Sequence, residues 1–317
     1  MKLYYFQFRE KVNNFGDDLN PWLWERLLPN VFDDEKTVLF VGIGTLLNEY
    51  VPTARKTIVF GSGVGYGKGL PSIDSSWTVY CLRGPLSAKA LGLDPDLAIT
   101  DGALLLRRVY QPASPRKTQR FAYIPHVSNV MRGGVDWQRI CEQAGMGFID
   151  PRGSTEEVLA AISQTEVVLA EAMHGAIAAD ALRVPWIPVC TNTAILPFKW
   201  QDWCLTVGIE YQPCYVMPSQ DLYRCGPGVR SSLGYWSKWA MQAPLQAIRQ
   251  TRQADYQSVA AQLARIAKVS KPVLSEQRRS DELLARLDDK LQRFKDDLAS
   301  GVWSEAREQS LRVRGRE

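Results

Sequence analysis

Histidine is nearly missing from this chain. Only His126 and His174 occur in 317 residues, so any imidazole chemistry must run through one or both of them. Cysteine is sparse and scattered. The six cysteines (Cys81, Cys141, Cys190, Cys204, Cys214 and Cys225) contain no Cys-x-x-Cys pair, which argues against a zinc site or a disulfide frame and for reduced thiols in the cytoplasm. No apolar run reaches the roughly 18–20 residues of a membrane helix. Residues 1–20 lack the uninterrupted apolar core of a secretory leader. Excess charge is small as well. A net +4 is too little to argue for nucleic acid, though it permits weak attraction to anionic substrates or an anionic membrane face.

Strict nucleotide fingerprints are absent too. The cluster Gly61-Ser62-Gly63-Val64-Gly65-Tyr66-Gly67-Lys68-Gly69 puts Tyr66 or Lys68 where the last glycine of Gly-x-Gly-x-x-Gly belongs. As a P-loop it fails because Gly69 follows Lys68 in place of Ser or Thr. What survives is a loop after a strand whose amides can approach an anion. A surface turn is the competing reading. Gly42-Ile43-Gly44-Thr45 repeats the arrangement more weakly.

What is present is an α/β pattern in a chain whose 45% apolar and 23% charged residues are ordinary for a globular protein. The spacing predicts strands over 2–8, 37–41, 57–60 and 78–82, and helices over 19–28 and 85–91. The segment 111–118, with two prolines and polar neighbours, reads as a linker. The pattern then restarts, with strands over 121–125, 148–150, 167–170 and 186–190. Helices follow over 135–144, 155–163 (opened by a Ser154-x-x-Glu157 capping box) and 175–182. Two successive modules of this kind predict two Rossmann-like domains, 1–115 and 116–235, facing a cleft. Beyond 236 the texture turns polar and helical, and Leu283, Leu284, Leu287, Leu291 and Phe294 recur at helical spacing. Residues 236–317 are therefore expected to be a C-terminal helical extension packed on the domains, with 300–317 frayed.

Ligands of open α/β sheets gather at the carboxyl ends of strands, and the candidate residues fall there. In Leu169-Ala170-Glu171-Ala172-Met173-His174-Gly175-Ala176 a buried strand turns into a helix, which sets an imidazole beside amides that attract anions. An ordinary core histidine is the competing reading. His126 likewise ends the apolar run Phe121–Pro125. Arg83-Gly84-Pro85 offers a guanidinium that can grip phosphate or carboxylate, or make a plain ion pair. Thr100-Asp101-Gly102 reads as a turn or a ligand contact. Asn13-Asn14-Phe15-Gly16-Asp17-Asp18 is richer in amides and acids than a helix cap needs. Pro197-Phe198-Lys199-Trp200 sets a cation between aromatics, for sugar stacking or for the core.

Taken in order, Asn14-Phe15-Gly16-Asp17-Asp18-Leu19-Asn20, Gly61-Ser62-Gly63, Arg83-Gly84-Pro85, Thr100-Asp101-Gly102, Tyr123-Ile124-Pro125-His126 and Glu171-Ala172-Met173-His174-Gly175-Ala176 resemble the polysaccharide pyruvyltransferases. The similarity is to the succinoglycan- and xanthan-type branch and covers about residues 1–205. It implies a glycosyltransferase-B-like fold, phosphoenolpyruvate as co-substrate with no further cofactor or metal, and a lipid-linked oligosaccharide or polysaccharide acceptor, with possible peripheral contact at the inner membrane. On this resemblance His174 is the expected general acid and base, with Glu171 orienting it and His126 assisting. Gly61, Ser62, Gly63, Arg83, Gly175 and Lys199 would hold the donor. Asn14, Asp17, Asp18, Asp101 and Trp200 would hold the acceptor. Many members carry Arg-Leu-His-Gly where this chain has Ala172-Met173-His174-Gly175, so the positive charge must come from elsewhere, with Arg83, Lys199 and Arg132 the candidates. Two other functions fit the same pattern: a sugar-nucleotide glycosyltransferase, and a non-catalytic scaffold acting through its C-terminal helices.

Overall fold

The computed structural model describes residues 1–8, 12–114, 116–131, 135–191, 195–216 and 254–303. Two all-parallel sheets carry the fold. The first has the order β1-β2-β3-β4, built from β1 (Lys2–Tyr4), β2 (Val38–Val41), β3 (Lys56–Phe60) and β4 (Trp77–Cys81). β2 and the end of β3 are buried, as their unbroken apolar runs require of a sheet covered on both faces. The expected alternation with helices holds only between β1 and β2, where α1 (Phe15–Leu27) crosses over. Irregular loops join β2 to β3 and β3 to β4, and α2 (Pro85–Leu91), a 3-10 turn at Gly102–Leu105 and α3 (Leu106–Val109) follow β4.

Helix α1 starts at Phe15, four residues before the expected first position, and encloses Pro21. Proline has no N–H for the carbonyl four residues back. The side-chain amide of Asn20 takes its place, donating to the Asp17 carbonyl at 3.2 Å.

The second sheet has the order β6-β5-β7-β8-β9: β5 (Gln119–Ile124), β6 (Gly147–Phe148), β7 (Thr165–Ala170), β8 (Trp186–Cys190) and β9 (Cys214–Tyr215). Its crossovers are helical, through α4 (Val127–Met131) and α5 (Trp137–Ala144), then α6 (Thr155–Ser163), α7 (Met173–Ala181) and α8 (Pro197–Val207). α6 opens with the expected capping box between Ser154 and Glu157. This is a doubly wound 2-1-3-4-5 order, whose direction reverses between β5 and β7. In sheets of this type ligands bind at the carboxyl ends of the two strands that flank the reversal.

The C-terminal helices are part of the fold. α9 (Ala254–Val269) packs Val259 and Leu263 with Trp137 and Ile140 of α5. α10 (Gln277–Ala299) buries Leu283, Leu284, Leu287, Leu291 and Phe294, the five positions expected from periodicity. One apolar cluster runs from Phe40 and Phe60 of the first sheet, through Phe15, Ala176 and Leu287, to Ile124 and Ala170 of the second. Arg132 and most of 300–317 lie outside the described residues.

Candidate active site

β7 ends in the fully buried run Val168-Leu169-Ala170, and only Glu171 and Ala172 separate it from α7. A side chain at Gly175 would put its Cβ 2.8 Å from Ile124. Glycine there lets α7 close onto the end of β5, which sets His174 at the point where the strand order reverses. The cap residue Ala172 brings no side-chain hydrogen bond. Among the described residues, the amides of Met173, His174 and Gly175 have no acceptor. Three unpaired N–H groups and the positive end of a helix thus lie at the same terminus as the imidazole.

The first half of the chain supplies the opposite wall. A Cβ on Gly16 would lie 2.4 Å from His174 Nδ1, so the ring stands against the first turn of α1. On its other edge, Nε2 is 3.7 Å from Asp101 Oδ2, with the carboxylate fully buried and 12% of the imidazole side chain exposed. Neither of these two atoms has a hydrogen-bond partner. Asp17 accepts a hydrogen bond from Asn14 Nδ2 at 2.5 Å, while Asp18 accepts one from the Asn14 amide at 2.8 Å. Asp17 keeps part of its surface open. Burial by the surrounding protein nevertheless pushes its pKa up to about 6, against the lowering pull of the Asn14 hydrogen bond, His174 and Lys199. Lys199, buried in α8, donates to the Tyr66 hydroxyl at 2.6 Å and lies 4.9 Å from that ring's centroid. His174 thus stands between the first turn of α1 and Asp101, while the charges of His174 and Lys199 both act on Asp17.

Glu171 does not orient His174, which corrects the expectation. It is fully buried and accepts hydrogen bonds from Tyr123 Oη, the His126 amide and Asn129 Nδ2 on one oxygen, and from the amide and hydroxyl of Thr191 on the other. With five donors it ties β5, α4 and the end of β8 together. The His126 ring stands beside the Ser128 hydroxyl at 2.8 Å, also at the carboxyl end of β5.

A family model described as polysaccharide pyruvyl transferase matches residues 1–192. The chain belongs to this family. It is also 42% identical over 216 residues to the succinoglycan biosynthesis protein ExoV of Rhizobium meliloti (strain 1021), covering 67% of each chain. No solved structure gives a significant match. Asn14, Asp17, Asp101 and His174 all fall inside the matched span, so the family region contains the site except for Lys199.

In this pyruvyl transferase several expected ligand contacts belong to the fold. The 61–64 loop already uses its amides: Gly61 donates to Cys81, Gly63 to Gly44, and Val64 to the Ser87 hydroxyl. Ser62 is buried with its hydroxyl on the Gly44 carbonyl. Gly61, at φ +83°, lets the Asp101–Gly102 turn approach, since a Cβ would sit 2.4 Å from the Gly102 nitrogen. Gly63 leaves room for the guanidinium of Arg83.

Arg83 is fully buried and bonds Asp202 at 3.0 Å, Thr45 Oγ1 at 2.7 Å and the Val64 carbonyl at 2.7 Å. It has no face to offer a phosphate, and the expected donor grip is withdrawn. Asp202 in turn receives the amides of Leu86 and Ser87, capping α2 from across the molecule. Trp200 is fully buried and stacks on Tyr211 at 5.1 Å, so it offers no sugar platform. Asp101 is also fully buried and turned toward His174, not outward to an acceptor. The sequence reading missed Tyr66, which no motif distinguishes, and Gly16, whose role shows only once α7 is packed against α1.

Among the described residues no group of three His, Cys, Asp or Glu side chains converges as a metal site would. Nor is any described helix long and apolar enough to cross a membrane.

Proposed function

We propose that this enzyme transfers a pyruvyl group from phosphoenolpyruvate to two hydroxyls of one sugar in a bacterial exopolysaccharide repeat unit, forming a cyclic ketal. Family membership supports pyruvyl transfer, and the relative named for succinoglycan biosynthesis supports an exopolysaccharide acceptor. The observation that carries the reading is His174 beside three unpaired amides at the start of α7, where the strand order of the second sheet reverses.

The chemistry needs a proton for the donor's methylene carbon and a base for the attacking hydroxyl. An imidazole suits both tasks near neutral pH. His174 gives its proton to the methylene carbon, the neighbouring carbon becomes electrophilic, and the first hydroxyl adds there while returning a proton to the ring. Phosphate departs, the second hydroxyl closes the ketal, and its proton leaves with the phosphate. The amides of 173–175 and the Lys199 ammonium stabilise the donor's phosphate and carboxylate. Removing one such preorganised donor typically costs ~3–4 kcal/mol of barrier. Asn14, Asp17 and Asp18, at the open first turn of α1, receive the sugar hydroxyls, and His126 lines the cleft.

In this reading residues 1–115 and 116–235 are the two lobes of a glycosyltransferase-B-like enzyme, with 236–317 as an extension. It works in the cytoplasm, at the membrane face where its lipid-linked acceptor resides. The test is incubation with labelled phosphoenolpyruvate and lipid-linked oligosaccharides. Phosphate release together with an acid-labile labelled oligosaccharide is expected. Stabilisation by a uridine or guanosine diphosphate, with no phosphate released from phosphoenolpyruvate, would favour a glycosyltransferase instead.

A further inference from the structure

Two buried polar atoms with no partner face each other across the middle of this molecule. One is Asp101 Oδ2, on a side chain with no exposed surface, and the other is His174 Nε2. Buried polar groups are nearly always bonded, and each exception calls for a reason. The carboxylate's other oxygen is in use, because Oδ1 accepts the Ala103 amide at 2.9 Å and caps the 3-10 turn. That bond, with the approach of Gly102 onto Gly61, fixes where Asp101 stands. Oδ2 is left pointing at one edge of one imidazole.

We propose that Asp101 is the positioning residue of this active site. It accepts the proton-bearing Nε2 of His174 and thereby leaves Nδ1 as the nitrogen that gives and takes the proton in pyruvyl transfer. The proposal rests on the reading of His174 as the acid and base. At 3.7 Å the pair is longer than a hydrogen bond. Contacts of this type are commonly long without substrate and tighten in the reacting complex.

The opposite edge of the ring supports the assignment. Nδ1 lies against Gly16, where a Cβ would intrude to 2.4 Å, so glycine keeps that nitrogen uncovered. The 12% of the side chain that remains exposed lies away from Nε2, which is buried. Nδ1 also faces the turn that carries Asn14 and Asp17, the groups assigned to the sugar. A proton on Nε2 is thus held by the buried carboxylate through the whole cycle, and Nδ1, once it has given its own proton to the donor, turns its lone pair to where a hydroxyl would arrive. Which ring nitrogen works is set by the bond the other one makes.

Asp101→Asn gives a sharp test, because asparagine can keep its oxygen on the Ala103 amide while turning its NH2 toward Nε2. Nε2 must then accept, the proton of the neutral ring moves to Nδ1, and the doubly protonated ring that gives the proton from Nδ1 while keeping Nε2–H is lost. With two histidines in the chain, 15N-histidine labelling gives two ring systems, and the one lost in His174→Gln identifies His174. In the wild type the His174 ring should carry its proton on Nε2. In Asp101→Asn the proton should move to Nδ1, with kcat down by at least about a hundredfold (a comparable tautomer-reversing change costs up to about 10⁴) and KM for phosphoenolpyruvate within about threefold.

An unchanged tautomer in the variant overturns the proposal. So does a neutral wild-type ring whose single proton sits on Nδ1, a measurement that stands even if the variant fails to fold. A reversed tautomer with undiminished kcat would instead sink the role of His174 in the chemistry while leaving the Asp101 contact in place, so the two failures are distinguishable.

Discussion

Arg83 illustrates how far a residue's role depends on what burial surrounds it with. Arginine at a strand end is a natural anion ligand, and nothing local reveals that Asp202, 119 positions later, closes on it. Removing one member of a fully buried pair typically costs ~3–5 kcal/mol, because the other charge is left without compensation. Arg83→Ala is therefore expected to lower unfolding free energy by about that amount in a denaturant titration. Its folded fraction should keep the wild-type apparent constant for phosphoenolpyruvate. A weakened donor constant at unchanged stability would return Arg83 to the site.

Asp17 makes a prediction of opposite character. Its pKa stands near 6 in the folded chain against 3.8 for the free side chain, chiefly through burial. Between those values the native state holds a proton that the unfolded chain has released, so this group's contribution to stability falls as pH rises from about 4 to about 6 and is gone above that. Asp17→Asn should remove that slope, and it should stabilise the protein relative to wild type above pH 6. An identical pH dependence in variant and parent would show that the carboxyl is not held in this way. The site's other surprise, Asp101 beside His174, was legible only as two residues in separate motifs. Their contact needs the packing of both halves.

Among the elements, those that periodicity and capping define were readable to within a residue or so. Pro85–Leu91, Thr155–Ser163 and Trp186–Cys190 stand where sequence placed them. The misses share a cause. The loops joining β2, β3 and β4 are irregular because their turns are held by tertiary bonds, such as Glu49 accepting the amides of Lys68 and Gly69, which no local signal encodes. α8 reads from sequence as an aromatic cluster because Trp200 and Trp203 are buried in the core that joins the sheets, while Phe198 packs against a separate apolar cluster of the first half. α10 shows what a clean periodic signal achieves. Its Leu287 is fully buried in the cluster that joins the two sheets, so Leu287→Ala is expected to cost ~2–5 kcal/mol. A change under about 1 kcal/mol would mean that the helix is only laid on the surface.

For the whole molecule, this packing alters how a scaffold role could be tested. Deleting residues 236–317 would strip Leu283, Leu287 and Phe294 from the shared core, so loss of function in that deletion says nothing about partner binding. The two sheets are coupled by that core and by the Arg83–Asp202 pair, and the second half is tied internally by Asp180. This buried carboxylate accepts the Trp186 indole at 3.1 Å and the Ser275 amide at 2.9 Å, anchoring the segment before α10. Each half supplies one wall of the site. A point substitution is therefore the right instrument. The most direct measurement is the rate of phosphate release from phosphoenolpyruvate with a lipid-linked oligosaccharide present, for His174→Ala against wild type, with circular dichroism confirming an unchanged fold. A general acid and base of the usual strength predicts a loss of about a hundredfold or more. Retention of more than about a tenth of the wild-type rate would contradict the role assigned to His174.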